Sequence, residues 1–275
     1  MKLALCTKVF QYLHFRDSLE VARQYGYEGV ELDRLPHMAP GMFRSMTDSY
    51  KLAVCSIHSE AHVARGTNIA SGNADKRHAG LTETERAINF AAGCGCAVVQ
   101  IKGMYCWPYR SPFKGFWERA RTSLRRLSKL AESQNVKLAL HFKYSVAYLI
   151  NAPWAGIHMI EEVGSPALGL TFDTGILNLM TRHATSLVGF LEIMSRYIVH
   201  VHVSDNDGMS DQRLPPGSGS IQWHVLLSKL MDIGYDGFLS VDLHGGFQQR
   251  DPDGQAYQSI TFLRGALDEL RPAGG

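Results

Sequence analysis

VKLALH (residues 136–141), LGLTFD (168–173), IVHVH (198–202) and FLSVD (238–242) each run largely apolar and stop on a histidine or an aspartate. Apolar runs of this length read as strands buried on both faces, the pattern of a parallel sheet rather than one with a wet side. Four such strands, each closing on a group able to bind a metal or move a proton, describe one rim of a parallel α/β barrel, where catalytic groups gather at the carboxyl ends of strands. His141, Asp173, His202 and Asp242 are therefore candidate site residues.

Working outward, strand and helix signals alternate along the chain. The pattern predicts strands over 3–6, 29–32, 52–57, 97–101, 137–140, 168–172, 198–203 and 238–243. It predicts helices over 16–25, 41–50, 81–92, 115–132, 153–163, 186–194, 223–233 and 257–270. Eight β/α units make a closed (β/α)8 TIM barrel, and 275 residues suit one such domain spanning 1–275, with a tail at 271–275 expected to fray.

The 28 basic and 26 acidic residues leave a formal charge of +2 with no long basic run, so nothing points to nucleic acid or to a membrane surface. Cys6, Cys55, Cys94, Cys96 and Cys106 are odd in number and lack a paired CxxC spacing, which predicts reduced thiols. The first fifteen residues are too weakly apolar for a signal or a span. A cytoplasmic enzyme, possible as a homo-oligomer, with a small, neutral or weakly anionic substrate is the expectation.

Three predicted loops, 58–80, 103–114 and 204–221, exceed the usual length of βα connections. They carry His58, Glu60 and His62; Tyr105, Trp107, Tyr109 and Arg110; and Asp205, Asp207 and Arg213. Trp107 and Arg213 are candidate substrate contacts, although loop aromatics as often pack the loop down. Lys102 ends the fourth strand, where it either stabilises a developing oxyanion or extends its ammonium to solvent. His58 ends the third strand, as a site group or a hydrogen-bonded core histidine. Lys143 shares the His141 face and reads as a substrate contact or a solvated rim charge. Asp205 lies three residues after His202 and can orient that ligand or touch substrate. His200 shares the His202 face and is at least as well read as an inner structural partner, and His244 shares the face of Asp242.

The run LALHFKYSVAYLINAPWAGIHMIEEVGSPALGLTFDTGILNLM, then HVHVSDNDG, then PPGSGSIQWHVLLSKLMDIGYDGFLSVDL resembles the sugar phosphate isomerase/epimerase superfamily, whose members are xylose isomerase-like barrels. GYEGVEL and the strand ending at His58 carry the likeness more diffusely. The resemblance implies one divalent ion held at the ends of strands 5 to 8 by Glu, Asp, His and Glu, matched here by His141, Asp173, His202 and Asp242. Asp242 keeps the carboxylate on a shorter arm. His141 replaces a carboxylate with an imidazole, so two His with two carboxylates suits Mn, Fe, Co or Zn, with Mn favoured, better than Mg.

Further departures bear on substrate. The DTGH pattern common in such barrels reads Asp173-Thr174-Gly175-Ile176, Gly208 occupies the nominal place of an arginine after the strand-7 histidine, and Ala147 that of a glutamate. Ile176 and Lys102 stand where a trinuclear nuclease would need histidines, which argues against DNA repair. The expected enzyme is a divalent-metal-dependent isomerase or epimerase of a small carbohydrate-like substrate, a sugar, keto-sugar or polyol, in which His141 or Asp242 removes a proton beside a carbonyl, while Lys102 or His58 helps hold the enolate. A lyase or dehydratase on a keto-sugar, and a metal-free barrel acting as a binding or partner subunit, are the alternatives.

Overall fold

The computed structural model describes residues 1–10, 13–59, 67–106, 113–243 and 251–271. Eight parallel strands close in sequential order, β1 (Lys2–Cys6), β2 (Gly29–Leu32), β3 (Ala53–His58), β4 (Val98–Lys102), β5 (Lys137–His141), β6 (Leu168–Asp173), β7 (Ile198–Val203) and β8 (Phe238–Val241), with β8 pairing back onto β1. The single (β/α)8 TIM barrel is what the alternating pattern predicts. Around it lie α1 (Phe15–Tyr25), α2 (Pro40–Ser49), α3 (Ala74–Cys94), α4 (Phe113–Ser133), α5 (Pro153–Val163), α6 (Thr174–Met180), α7 (Leu187–Met194), α8 (Trp223–Asp232) and α9 (Pro252–Glu269).

The helices form where an apolar stripe meets the barrel and stop where the chain must turn into the next strand. In α1, Ser18, Leu19 and Ala22 are buried, and Gly26 ends the helix at φ 85°, its N–H returning to the carbonyls of Ala22 and Arg23. A left-handed residue there favours glycine, which has no Cβ to clash. Three residues later β2 begins. The apolar core is continuous from Leu3 to Leu267 between helices and strands, and the five cysteines are buried free thiols within it.

Three helices depart from the predicted pattern: α3 and α6, and α9, which begins at Pro252 rather than at 257, with Asp251 capping it by accepting from Gly254 N. Helix α3 begins at Ala74, earlier than the predicted start at 81, because Asn73 caps it by accepting from Lys76 N at 3.0 Å. Helix α6 falls in a stretch with no predicted element. It is a seven-residue helix started by the site residue Asp173, whose Oδ1 accepts from Ile176 N at 2.9 Å. Too short to show an apolar period, it is visible only through its cap.

Strand register sets the site. Lys102 pairs with His141, Asp173 with His202, and His202 with Ser240. The long connection from β7 to α8 is tied down by Asp205, which accepts from Asn206 N, Gly217 N, Ile221 N and Trp223 Nε1 at 2.9, 3.0, 3.3 and 2.8 Å. Its backbone exchanges two hydrogen bonds with Leu214, at 2.8 and 2.9 Å, immediately beside Arg213. Asp205→Ala strips buried donors of their acceptor and should lower unfolding stability by about 3 kcal/mol or more. Denaturant titration against Asp205→Asn, expected to fall between the two, checks this; an unchanged midpoint in the alanine variant would contradict the anchoring role.

Candidate active site

Deepest in the mouth is a carboxylate that the sequence reading leaves inside a strand without a role. Glu31, fully buried on β2, receives three imidazoles. His58 Nε2 lies 2.8 Å from Oε1, His200 Nε2 2.7 Å from Oε2, and His202 Nε2 2.9 and 3.0 Å from the two oxygens. Ser56 Oγ donates to Oε2 at 2.6 Å, and Gln100 Nε2 contacts both Ser56 Oγ and His202 Nε2 at 2.9 Å. The signal for Glu31 was available: a full charge within a four-residue strand otherwise expected to be buried needs partners on neighbouring strands.

Burial alone would raise the Glu31 carboxyl, but the charge on His202 and the hydrogen bonds from the imidazoles outweigh it and hold the group well below the usual carboxylate range. For His202 the balance runs the other way. Burial opposes its charge, yet Glu31, Asp173 and Asp242 raise its pKa to about 10. His58, lowered to about 4 by burial and by Lys102, is neutral at physiological pH, and burial pushes His200 down as well.

The second layer lies above this one and shares His202. His202 Nδ1 makes no hydrogen bond and stands 3.8 Å from Asp173 Oδ2 and 3.6 Å from Asp242 Oδ2. His141 Nε2 lies 2.9 Å from the same Asp173 oxygen, and burial takes its pKa down to about 3. Burial would raise Asp173, but Arg213 and the two imidazoles keep it well below its ordinary value. Arg213 is buried, sits at φ 51°, and places Nη1 3.1 Å from Asp173 Oδ2 and 3.2 Å from Asp242 Oδ2, with Nε 2.7 Å from Asp211. These carboxylates hold its pKa above the usual value against the opposing effect of burial.

The four groups nominated at the ends of β5 to β8 thus meet, with Arg213 against two of them. His58 lies in the lower layer on Glu31, and His200 beside it. Lys102 and Lys143 stand at the rim, half-buried. Asp205 is elsewhere: its oxygens are committed to its own loop, which makes it a holder of that loop rather than a group facing substrate. Ile176 is buried beside α6's start. Trp107, with Glu60, His62, Tyr109, Arg110 and His244, lies outside the described residues.

His141, Asp173 and His202 each present a donor atom within 4.8 Å of the others, and Asp242 approaches His202 Nδ1 from β8. Donors of one ion held at about 2.0–2.2 Å are themselves roughly 3–3.5 Å apart, close to the separations here. A buried, unpartnered Nδ1 whose ring partner nitrogen contacts a carboxylate is also the usual arrangement of a metal-binding histidine. The residues fit a divalent ion.

A family model described as xylose isomerase-like TIM barrel matches residues 19–266. The chain belongs to that family. Fructoselysine 3-epimerase of Shigella flexneri is 24% identical over 280 residues, covering 98% of this chain and 99% of that one. An uncharacterized protein of Methanocaldococcus jannaschii is 31% identical over 122 residues, which span 44% of this chain and 41% of its own. A crystal structure of a D-tagatose 3-epimerase-like protein superposes with a TM-score of 0.84 at 23% identity, covering 98% of each chain.

The opposed shifts give the chelator-treated protein a stability maximum near pH 6.5. His58 and His141, neutral in the fold and protonated near 6.5 when unfolded, cost stability as pH falls toward about 4 and about 3. His202, charged in the fold, contributes stability that is full below 6.5 and lost as pH rises through about 10. Melting temperatures from pH 4 to 10 should fall on both sides, and His202→Gln should flatten the alkaline side alone. An equal alkaline slope in both proteins would refute the charge assigned to His202.

Proposed function

We propose that this barrel is a divalent-metal-dependent isomerase or epimerase of a sugar or keto-sugar, working through an enolate-type intermediate. The observation that carries the reading is the convergence of His141, Asp173, His202 and Asp242 around one unpartnered nitrogen. It is supported by an epimerase relative that matches nearly the whole chain.

His141, Asp173, His202 and Asp242 would hold the ion, and Mn, Fe, Co or Zn suits this donor set. When bound, it supplies Lewis acidity to polarise a substrate carbonyl or hydroxyl. Of the two groups nominated to take the proton beside the carbonyl, Asp242 takes the role, because His141 is poorly placed for it. His141 faces Asp173 through Nε2, and burial leaves its imidazole weakly basic. Arg213, fixed against both aspartates, presents the rest of its guanidinium to an oxygen of the substrate; its Nη2 makes no hydrogen bond. His58 acts at one remove by holding Glu31, and so the ring of His202. Proton return to one face or the other decides the product.

The metal-free reading draws on one observation: Arg213 already supplies a cation to Asp173 and Asp242. Elemental analysis separates the two. Protein purified without chelator should hold about one transition ion per chain, lost in His202→Ala. Ketoses incubated in D2O should gain deuterium next to the carbonyl, and Asp242→Asn should slow this by at least about 100-fold. Absence of metal after reconstitution, with no exchange, would reject this function in favour of a metal-free barrel.

A further inference from the structure

A groove beside the mouth takes no part in that chemistry. It has a volume of about 520 Å³ and lies between the loop after β5, the start of α5 and the turn after α6, within the size range of small-molecule sites. Chain geometry ties it to the reacting groups. Tyr144, which lines it, follows His141 by three residues, so their Cα atoms lie no more than about 11 Å apart. Met180, also lining it, ends the seven-residue helix that Asp173 starts, and is thus about 10 Å from Asp173 along the helix. A molecule reacting at Asp173 and Asp242 needs one further ring to enter the groove.

The frame of the groove is fixed. In the loop after β5, Lys143 N donates to Ile150 O and Tyr148 N to Ser145 O, each at 3.1 Å, while Cys106 N donates to Ala147 O and Leu149 N to Met104 O, each at 2.8 Å. Helix α5 starts on Pro153, and its Gly156 lies so near Leu170 that a Cβ there would meet Cδ2 at 2.6 Å. On this frame Tyr144 and Trp154 keep 48% and 55% of their surface exposed, and Val146 83%. Three of the twelve exposed large apolar side chains among the described residues thus share one groove; single ones are ordinary, whereas a cluster marks a binding surface. Ser145, Asn151 and His183 add a hydroxyl, an amide and an imidazole. That mixture matches a sugar ring, which turns C–H faces to aromatic rings and hydroxyls to polar edges. An alkyl chain would strand the amide and the hydroxyl.

We propose that this groove is a second sugar subsite, holding a glycosyl group carried by the substrate, so that the isomerase reading above narrows from free monosaccharides to glycosylated ketoses. Trp154 and Tyr144 supply the apolar faces, and Ser145 and Asn151 the hydrogen bonds, while the ketose end lies at Asp173 and Asp242. What happens in the mouth rests on the isomerase reading; what binds in the groove rests on these four residues. A free ketose fills the mouth and leaves the indole of Trp154 in water.

Calorimetric titration of the full chain as purified provides the test, with D-fructose beside lactulose and isomaltulose, which carry a galactosyl or a glucosyl group on the same ketose. At least one disaccharide should bind about tenfold more tightly than D-fructose, or better, as a stacked ring with one or two hydrogen bonds would give. Trp154→Ala should cut that preference at least about fivefold and Tyr144→Ala at least about twofold, with D-fructose binding unchanged in both. Trp154→Phe should keep most of it. Both side chains are exposed, so neither variant burdens folding. Equal affinity for the three sugars, no binding of either disaccharide, or a preference that survives both alanine variants would overturn the proposal. So would sedimentation showing an oligomer that Trp154→Ala takes apart, since a second copy of the chain would then cover the groove. Deuterium exchange on D-fructose as fast as on both disaccharides, at equal subsaturating concentration, would also overturn it while leaving the isomerase reading intact. Disaccharide binding that depends on Trp154 in a protein that exchanges no ketose proton would sustain the subsite and reject the isomerase reading instead.

Discussion

The site depends on one buried carboxylate. Glu31 lies beneath the mouth, and an ionised carboxylate there would cost several kcal/mol if left unpaired. His58, His200 and His202 converge on it from β3 and β7. This contact fixes the orientation of the one ring that reaches both layers. With His202 Nε2 held by Glu31, Nδ1 has to face Asp173 and Asp242. The barrel therefore settles below the site which nitrogen is available above it.

The upper layer is fixed by similar economy of atoms. Asp173 uses Oδ1 to start α6 and Oδ2 to meet His141 and Arg213, so its rotamer is set by backbone and side chains together. Arg213 reaches the layer from an irregular loop, where a left-handed backbone conformation is uncommon for a non-glycine residue. The loop holds that conformation because Asp205 gathers the donors on either side of it. A residue remote from the reacting atoms thus sets where a guanidinium lies among them.

The barrel and its rim were legible in the sequence because strands buried on both faces write themselves as short apolar runs, and a polar residue closing such a run is conspicuous. His141, Asp173, His202 and Asp242 all stood out this way. Glu31 did not, because it lies inside its strand and its partners, Ser56, His58, His200 and His202, are scattered over distant segments that only barrel closure unites. The role of Asp205 was hidden for a related reason: proximity to His202 in sequence suggests a shared site, whereas the carboxylate turns away into its own loop. Arg213 was named from its loop, but its contact with both aspartates depends on a backbone angle that composition does not report.

The same geometry makes the upper layer a place where cations compete. Asp173 and Asp242 can be balanced by Arg213, by a proton on His202, or by a divalent ion, and these choices are not independent. A proton on Nδ1 denies that nitrogen to a metal, while an ion bound there would leave His202 neutral, with Nε2–H donating to Glu31. Arg213 can yield one carboxylate oxygen to an ion and keep its hold on Asp211, since that contact runs through Nε and not through Nη1. Glu31 remains the counter-charge of His202 in the protonated state and its orienting partner in the neutral one. The lower layer can thus stay as it is while the charge above it changes, and for that reason the buried carboxylate, rather than any candidate ligand, is the fixed point of the site.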